Sequence, residues 1–174
     1  MNPPSSAESP PEVHAIPAPP GIVIDRVSHE DIPEICALYK RVWESPHPGI
    51  PPEFLKAAIP TPLEFTSQME GVTYFVAREG KRLLGIVGTA FSEGNCRLVD
   101  LAVDVDARRK GIGKALVLTA VDWAGKNHAN VVWIDALDQF SAAKGLFHHL
   151  GFAEAGVLHH HRWNEDVRLF EKTP

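Results

Sequence analysis

Residues 101–115 read Leu-Ala-Val-Asp-Val-Asp-Ala-Arg-Arg-Lys-Gly-Ile-Gly-Lys-Ala, and this run does most to limit what the chain can fold into. An apolar, strand-like stretch enters a basic turn, and two glycines then open an amphipathic helix. Ile112, Ala115, Leu116, Thr119, Ala120 and Trp123 fall on one face of that helix. Such a junction suits an anion. Glycines let the backbone approach a ligand closely, the first amides of a helix have no intrahelical partner, and the helix dipole adds roughly half a positive charge there. Arg108, Arg109, Lys110 and Lys114 bring four full charges into the same short turn. A pyrophosphate would be a natural guest. The plainer alternative is a tight strand-to-helix turn beside a solvated basic run.

Two other phosphate-binding patterns fail at named positions. A P-loop needs glycine five residues before its Gly-Lys pair and Ser or Thr after it, where this chain has Arg108 and Ala115. A dinucleotide-binding GxGxxG needs a third glycine where Leu116 stands.

Around this junction the hydrophobic pattern predicts an α/β domain with a mixed sheet of roughly seven strands. Ile22-Val23-Ile24 is strand-like. Ser28 and Asp31 have capping-box spacing before a helix whose face is Ile32, Ile35, Cys36, Tyr39 and Val42. Helical stretches are expected at 53–59 and 63–70. Residues 73–78, 82–91 and 96–105 read as strands separated by the turns Glu79-Gly80-Lys81 and Gly94-Asn95. The helix at 111–125 is followed by the almost wholly apolar run 131–136, a strand covered on both faces. A helix at 141–150 stops at Gly151, and weaker strands fit 155–163 and 166–171. Residues 1–20 hold seven of the fifteen prolines and read as a mobile tail, with one domain over 21–174.

Composition narrows the partners. A net charge of −5 argues against a broad nucleic-acid-binding field. No apolar run approaches the roughly 20 residues that cross a bilayer. The N-terminus has neither the basic start nor the apolar core of a secretion signal. Cys36 and Cys96 form no CxxC pair and read as reduced thiols of a cytoplasmic protein.

Arg108-x-x-Gly111-x-Gly113 resembles the acyl-CoA-binding motif of the GNAT N-acetyltransferases. The wider string from Leu101 to Leu116 and the closing Leu150-Gly151-Phe152 are similar to that family in the same register. The resemblance runs from about Ile22 to the C-terminus. It implies a sheet that splays open at its centre, with acetyl-CoA as co-substrate and direct transfer of the acetyl group to an amine of a small molecule or peptide. It further implies that backbone groups of Leu101, Ala102 and Val103 bond the pantetheine arm beside a bulge. The turn and helix start, Arg108, Arg109, Lys110, Gly111, Ile112, Gly113, Lys114 and Ala115, would form the CoA site, with amides from Arg109 to Lys114 cradling the pyrophosphate. Relatives of this kind often form homodimers.

The chain departs from the family pattern in two places. Phe140 stands where many members carry Asn, and Phe147 where many carry a proton-donating Tyr. Ser141, Tyr74 and Cys96 are the substitute donors to consider. A general base is needed because an alkylamine is protonated at neutral pH. Asp100 is the first candidate, with Asp135 and Asp138 behind it and Glu93 more remote. Trp43, His47 and the Pro-rich stretch after it fall where relatives line the acceptor entrance, and His159 or His161 could reach the same cleft. Three successive histidines at 159–161 alternate faces on a strand and so make no single metal site. The competing expectations are a non-catalytic acyl-CoA-binding module and an enzyme with a different acyl donor or acceptor.

Overall fold

The computed structural model describes residues 17–44 and 49–174, so most of the proline-rich tail and His47 lie outside the described residues. Strand β1 (Val23–Arg26) leads through a 3-10 turn at His29–Asp31 into α1 (Ile32–Trp43). Ser28 and Asp31 close a capping box there, with the Ser28 amide donating to the Asp31 carboxylate at 2.9 Å. Two short helices follow, α2 (Pro52–Ala57) and α3 (Pro62–Gln68), each with proline in its first turn, where no amide is missed. Then come β2 (Val72–Glu79), β3 (Arg82–Ser92), β4 (Asn95–Val103), α4 (Ile112–Lys126), β5 (Val132–Leu137), α5 (Ser141–His149), β6 (Ala153–Arg162) and β7 (Glu165–Lys172).

The seven strands form one sheet in the order β1-β2-β3-β4-β5-β7-β6. All neighbours are antiparallel except β4 and β5, whose parallel pairing has only two rungs, Cys96 with Val132 and Arg97 with Trp133. Strand β7 sits between β5 and β6, an insertion that the hydrophobic pattern alone does not reveal. The fourth strand is shorter than the apolar run to Val105 suggests. It ends at Val103 because Asp104 turns inward to meet two arginines.

Each face of the sheet carries its own core. On one face α4 and α5 press Ile112, Leu116, Ala120 and Phe147 onto Phe75, Leu98, Ile134 and Phe170. On the other, α1 and α3 bury Ile35, Leu38, Val42 and Phe65 against Tyr74, Val76 and Ile86. Truncating a fully buried leucine such as Leu116 would cost about 2–5 kcal/mol, part transfer and part cavity. Among the described residues no helix is long and apolar enough to cross a membrane.

Gly88 fixes how closely β2, β3 and β4 approach. A Cβ there would lie 2.7 Å from the Tyr74 ring, 2.7 Å from Val72 and 2.8 Å from Val99. Overpacking of this kind costs typically about 1–3 kcal/mol. Gly88→Ala is therefore expected to lower the unfolding free energy by that amount, read as a lower urea midpoint, despite alanine's lower chain entropy when unfolded. An unchanged midpoint would show that the strands part freely.

Candidate active site

The cleft begins where β4 leaves β5. Beyond Arg97 and Trp133 the two strands share no rung, so one edge of β4 presents backbone groups that β5 does not satisfy. The other edge of β4 stays on β3, with a register shift where Ile86 faces Ala102 and Gly88 faces Val99. Asp100 and Leu101 occupy that bulge.

Asp100 has φ +54°, a left-handed conformation that few residues with a Cβ adopt and that its surroundings must enforce. Two tyrosines do so. The Tyr39 hydroxyl donates to the Asp100 carbonyl at 3.3 Å, and the Tyr74 hydroxyl donates to its carboxylate at 2.6 Å. Both phenols are buried against Phe65 under α1 and α3, whereas Asp100 is exposed. Burial first, then the Asp100 charge and hydrogen bond, push the Tyr74 phenol far above its ordinary value. Tyr74 thus remains a protonated donor to Asp100 at any physiological pH.

The basic turn hangs from Asp104, whose side chain is only 3% exposed. Its carboxylate accepts from Arg41 Nε at 2.9 Å, Arg82 Nη2 at 3.0 Å and the Asp106 amide at 3.2 Å. Arg108 folds back, its Nε donating to the Val103 carbonyl at 3.2 Å. Arg109 (φ +64°) and Gly111 (φ +82°) are both left-handed, which turns the chain sharply into α4. Ile112 and Ala115 send their side chains into the core, and the Ala115 amide already donates to the Gly111 carbonyl at 3.0 Å. The amides of Ile112, Gly113 and Lys114 are those left without intrahelical partners. Arg109, Lys110 and Lys114 are exposed around them. A Cβ at Gly113 would approach Leu146 at 3.4 Å and Val103 at 3.6 Å, so this glycine faces α5 and the end of β4.

Across the cleft, Asp135 lies between two guanidinium groups. Arg97 Nη2 donates to one oxygen at 2.7 Å and Arg162 Nη1 approaches the other at 2.8 Å. Asp138 is claimed by Arg168 and Lys144, whose hydrogen bonds hold its carboxyl down at about 2. Of these three aspartates, Asp100 is the one whose partner is a neutral hydroxyl. Glu93 caps the β3–β4 turn, away from the bulge.

Among the substitute donors, Cys96 is fully buried and burial pushes its thiol up to about 12. Ser141 is exposed at the first position of α5. Phe147 is core, edge-on to Phe170 at 5.4 Å. Phe140 is not simply a missing amide. It joins Trp43, Phe54 and Trp163 in a ring cluster with centroids 5.1–5.9 Å apart, linking α1, α2, α5 and the β6–β7 turn. His159 pairs with Asp166 at 2.9 Å on the outer hairpin, and His161 lies beside Arg162. The contacts of Tyr39, Arg97 and Arg162 leave no signal in the sequence, because their partners are 27 to 61 residues away and, for Arg162, on the far side of the inserted strand β7.

Residues 32–152 match the family model described as Acetyltransferase (GNAT) family. The human protein N-acetyltransferase 8B is 31% identical over 105 residues, 57% of this chain and 46% of its own length. The chain spans about half or less of the length of the curated relatives it matches. In solved structures the same fold recurs in the ribosomal-protein-S18-alanine N-acetyltransferase of Escherichia coli, with TM-score 0.71, 21% identity and coverage of 87% of this chain and 93% of that one. It recurs again in the PaiA N-acetyltransferase of Thermoplasma acidophilum in complex with coenzyme A, with TM-score 0.73, 20% identity and coverage of 88% and 99%.

The Asp104 anchor generates a pH prediction. Burial pushes its carboxyl up, but the hydrogen bonds from Arg82, Arg41 and the Asp106 amide outweigh burial and hold it below its ordinary 3.8. Its stabilisation is therefore complete above the unfolded value and lost as pH falls through the lower folded one. Asp104→Asn is expected to destabilise the fold by about 2 kcal/mol at neutral pH. It should also flatten the fall of the urea midpoint below about pH 5. An acid limb as steep as wild type would assign the pH dependence to other carboxylates.

Proposed function

The chain belongs to the Acetyltransferase (GNAT) family, and within it we propose that this protein transfers the acetyl group of acetyl-CoA directly to a primary amine. The observation that carries the proposal is the parting of β4 from β5 directly before a glycine-opened helix. The strand edge that β5 leaves, the helix-start amides and the exposed cations follow one another along the chain. The residues present fit the co-substrate. Backbone groups of Leu101, Ala102 and Val103 would bond the amides of the pantetheine arm as an added strand would. The amides of Ile112, Gly113 and Lys114, with Arg109, Lys110 and Gly111, would hold the pyrophosphate. Arg108 would act by fixing the Val103 carbonyl, and Ile112 and Ala115 by seating the helix.

Acetyl-CoA, when bound, supplies a thioester whose departing thiol has an ordinary pKa of about 8.5, low enough to leave near neutral pH with water as proton source. Asp100 takes the proton that the incoming ammonium must lose, directly or through one water. Tyr74 positions that carboxylate and keeps its own proton. The bulge backbone holds Asp100 beside the free strand edge, and the aromatic cluster of Trp43, Phe54, Phe140 and Trp163 walls the acceptor side. A reducing, cytosolic setting suits Cys36 and Cys96, which are buried and unpaired.

The test is acetyl-CoA calorimetry on wild type and Gly113→Asp, followed by an amine screen that detects released thiol. An aspartate near a helix start favours the helix while opposing a phosphate, so the variant is expected to fold and to lose affinity by at least tenfold. Failure of folded wild type to bind acetyl-CoA would overturn the proposal. Binding without turnover of any amine would favour the non-catalytic module. With an active amine in hand, Asp100→Asn is expected to lower kcat about 10²-fold with acetyl-CoA affinity intact. Tyr74→Phe should lower it less and shift the pH profile. An unchanged kcat in Asp100→Asn would remove Asp100 from the chemistry.

A further inference from the structure

The half of the sheet that α1 and α3 leave uncovered carries a cavity of about 150 Å³, lined by Arg97, Trp133, Asp135, His161 and Arg162 among others. That is room for several waters, hence for a carboxylate with a short stem. The charges around it do not cancel. Asp135, 5% exposed, is the one carboxylate in the lining, and two guanidinium groups converge on it. The cavity therefore has a net positive charge in a chain whose total is −5.

Neither arginine is exhausted by Asp135. A guanidinium has five N–H donors. Among the described residues Arg97 engages Nε and Nη2, and Arg162 Nη1, while both side chains remain about one-third exposed. Both are also fixed in place. Arg97 lies over the Trp133 ring at 4.9 Å from its centroid, and Arg162 ends the strand whose next residue, Trp163, packs on Phe54 at 5.2 Å. A pair of oriented guanidinium groups with spare, outward donors recognises a carboxylate in a bidentate manner.

Their position along the cleft matters as much as their charge. Arg97 is paired with Trp133, yet it reaches forward to Asp135, two residues further along the parallel strand. Two residues of strand rise roughly 6–7 Å, which brings the guanidinium level with Val99, next to the Asp100 bulge but on the β5 side. An amine delivered to Asp100 would thus carry its other polar end towards the two arginines.

We propose that Arg97 and Arg162, held by Asp135, bind a carboxylate of the amine acceptor, so that the protein selects small amines that also carry a carboxylate, such as amino acids or short peptides, over simple amines and polyamines. This rests on the acetyl-transfer function proposed above. Asp135 is then a positioning residue rather than a base.

The test compares matched acceptors, amino acids and dipeptides against their carboxamides and a diamine, by thiol release from acetyl-CoA. In parallel, calorimetry measures N-acetylated amino acids and their carboxamides binding to the CoA-loaded protein. Wild type is expected to favour carboxylates by at least tenfold in kcat/KM, mainly through KM. Arg162→Gln should bring acids and amides near parity with acetyl-CoA affinity retained, and Arg162→Lys should recover part of the preference. Arg97→Gln gives a second reading if Arg162→Gln proves unstable. Equal use of acids and amides, or a preference that survives both glutamine variants, overturns the proposal while leaving acetyl transfer standing. Carboxylate binding that depends on Arg162, without turnover of any amine, would support the anion site and overturn the transferase function instead.

Discussion

Two rungs of parallel pairing, Cys96 with Val132 and Arg97 with Trp133, are what the rest of the structure is arranged around. A strand that leaves its neighbour abandons a row of backbone donors and acceptors, which must find other partners or water. Strand β5 keeps β7 on its far edge over its whole length, Val132 to Leu137, but past Trp133 its near edge is open as well. Strand β4 keeps β3 on one edge and leaves the other open. The open edge, the bulge at Asp100 and the turn at Gly111 then follow one another along a single piece of backbone.

The same electrostatic device appears at both ends of this opening. Asp104 and Asp135 are each nearly buried, and each is held by two arginines from different elements. Asp104 ties α1 and β3 to the end of β4 beneath the basic turn, while Asp135 ties β4 and the β6–β7 hairpin to β5. At Asp135 two arginines around one carboxylate leave a net positive charge, whereas at Asp104 the arginines also meet Glu34 and Asp106 and the positive charge is that of Arg109, Lys110 and Lys114 in the turn above. A chain that is acidic overall therefore presents positive charge at two points along its cleft, the glycine turn and the Arg97–Arg162 pair.

Asp100 shows how packing holds an uncommon backbone geometry in place. Its left-handed backbone is held from below by Tyr39 and its carboxylate by Tyr74, both buried under α1 and α3. Gly88 opposite has no side chain to keep Tyr74 away. The core on this face is thus also the support of the candidate base, which is why its aromatic residues cluster where the strand is irregular.

Local sequence carried a great deal. Alternating and helical periodicity located every strand and helix to within a few residues, because burial on one face writes a pattern of two or 3.6 into neighbouring positions. The glycine turn is legible for the same reason, since its glycines, helix start and cations lie within a few positions of one another. The end of β4 at Val103 is not legible in the local pattern, because what ends the strand is a pair of arginines at 41 and 82, not a local breaker. Phe140 read as a vacancy, and only the approach of Trp43, Phe54 and Trp163 makes it part of a wall. The insertion of β7 between β5 and β6, the Tyr74–Asp100 contact and the Arg97–Asp135–Arg162 group join residues separated by 26 to 65 positions or by a strand out of sequence order. Sequence by itself determined the elements, the family and the basic glycine turn, whose physics is short-range. Tertiary structure alone decided which side chains meet across the cleft, because that depends on where β4 and β5 part.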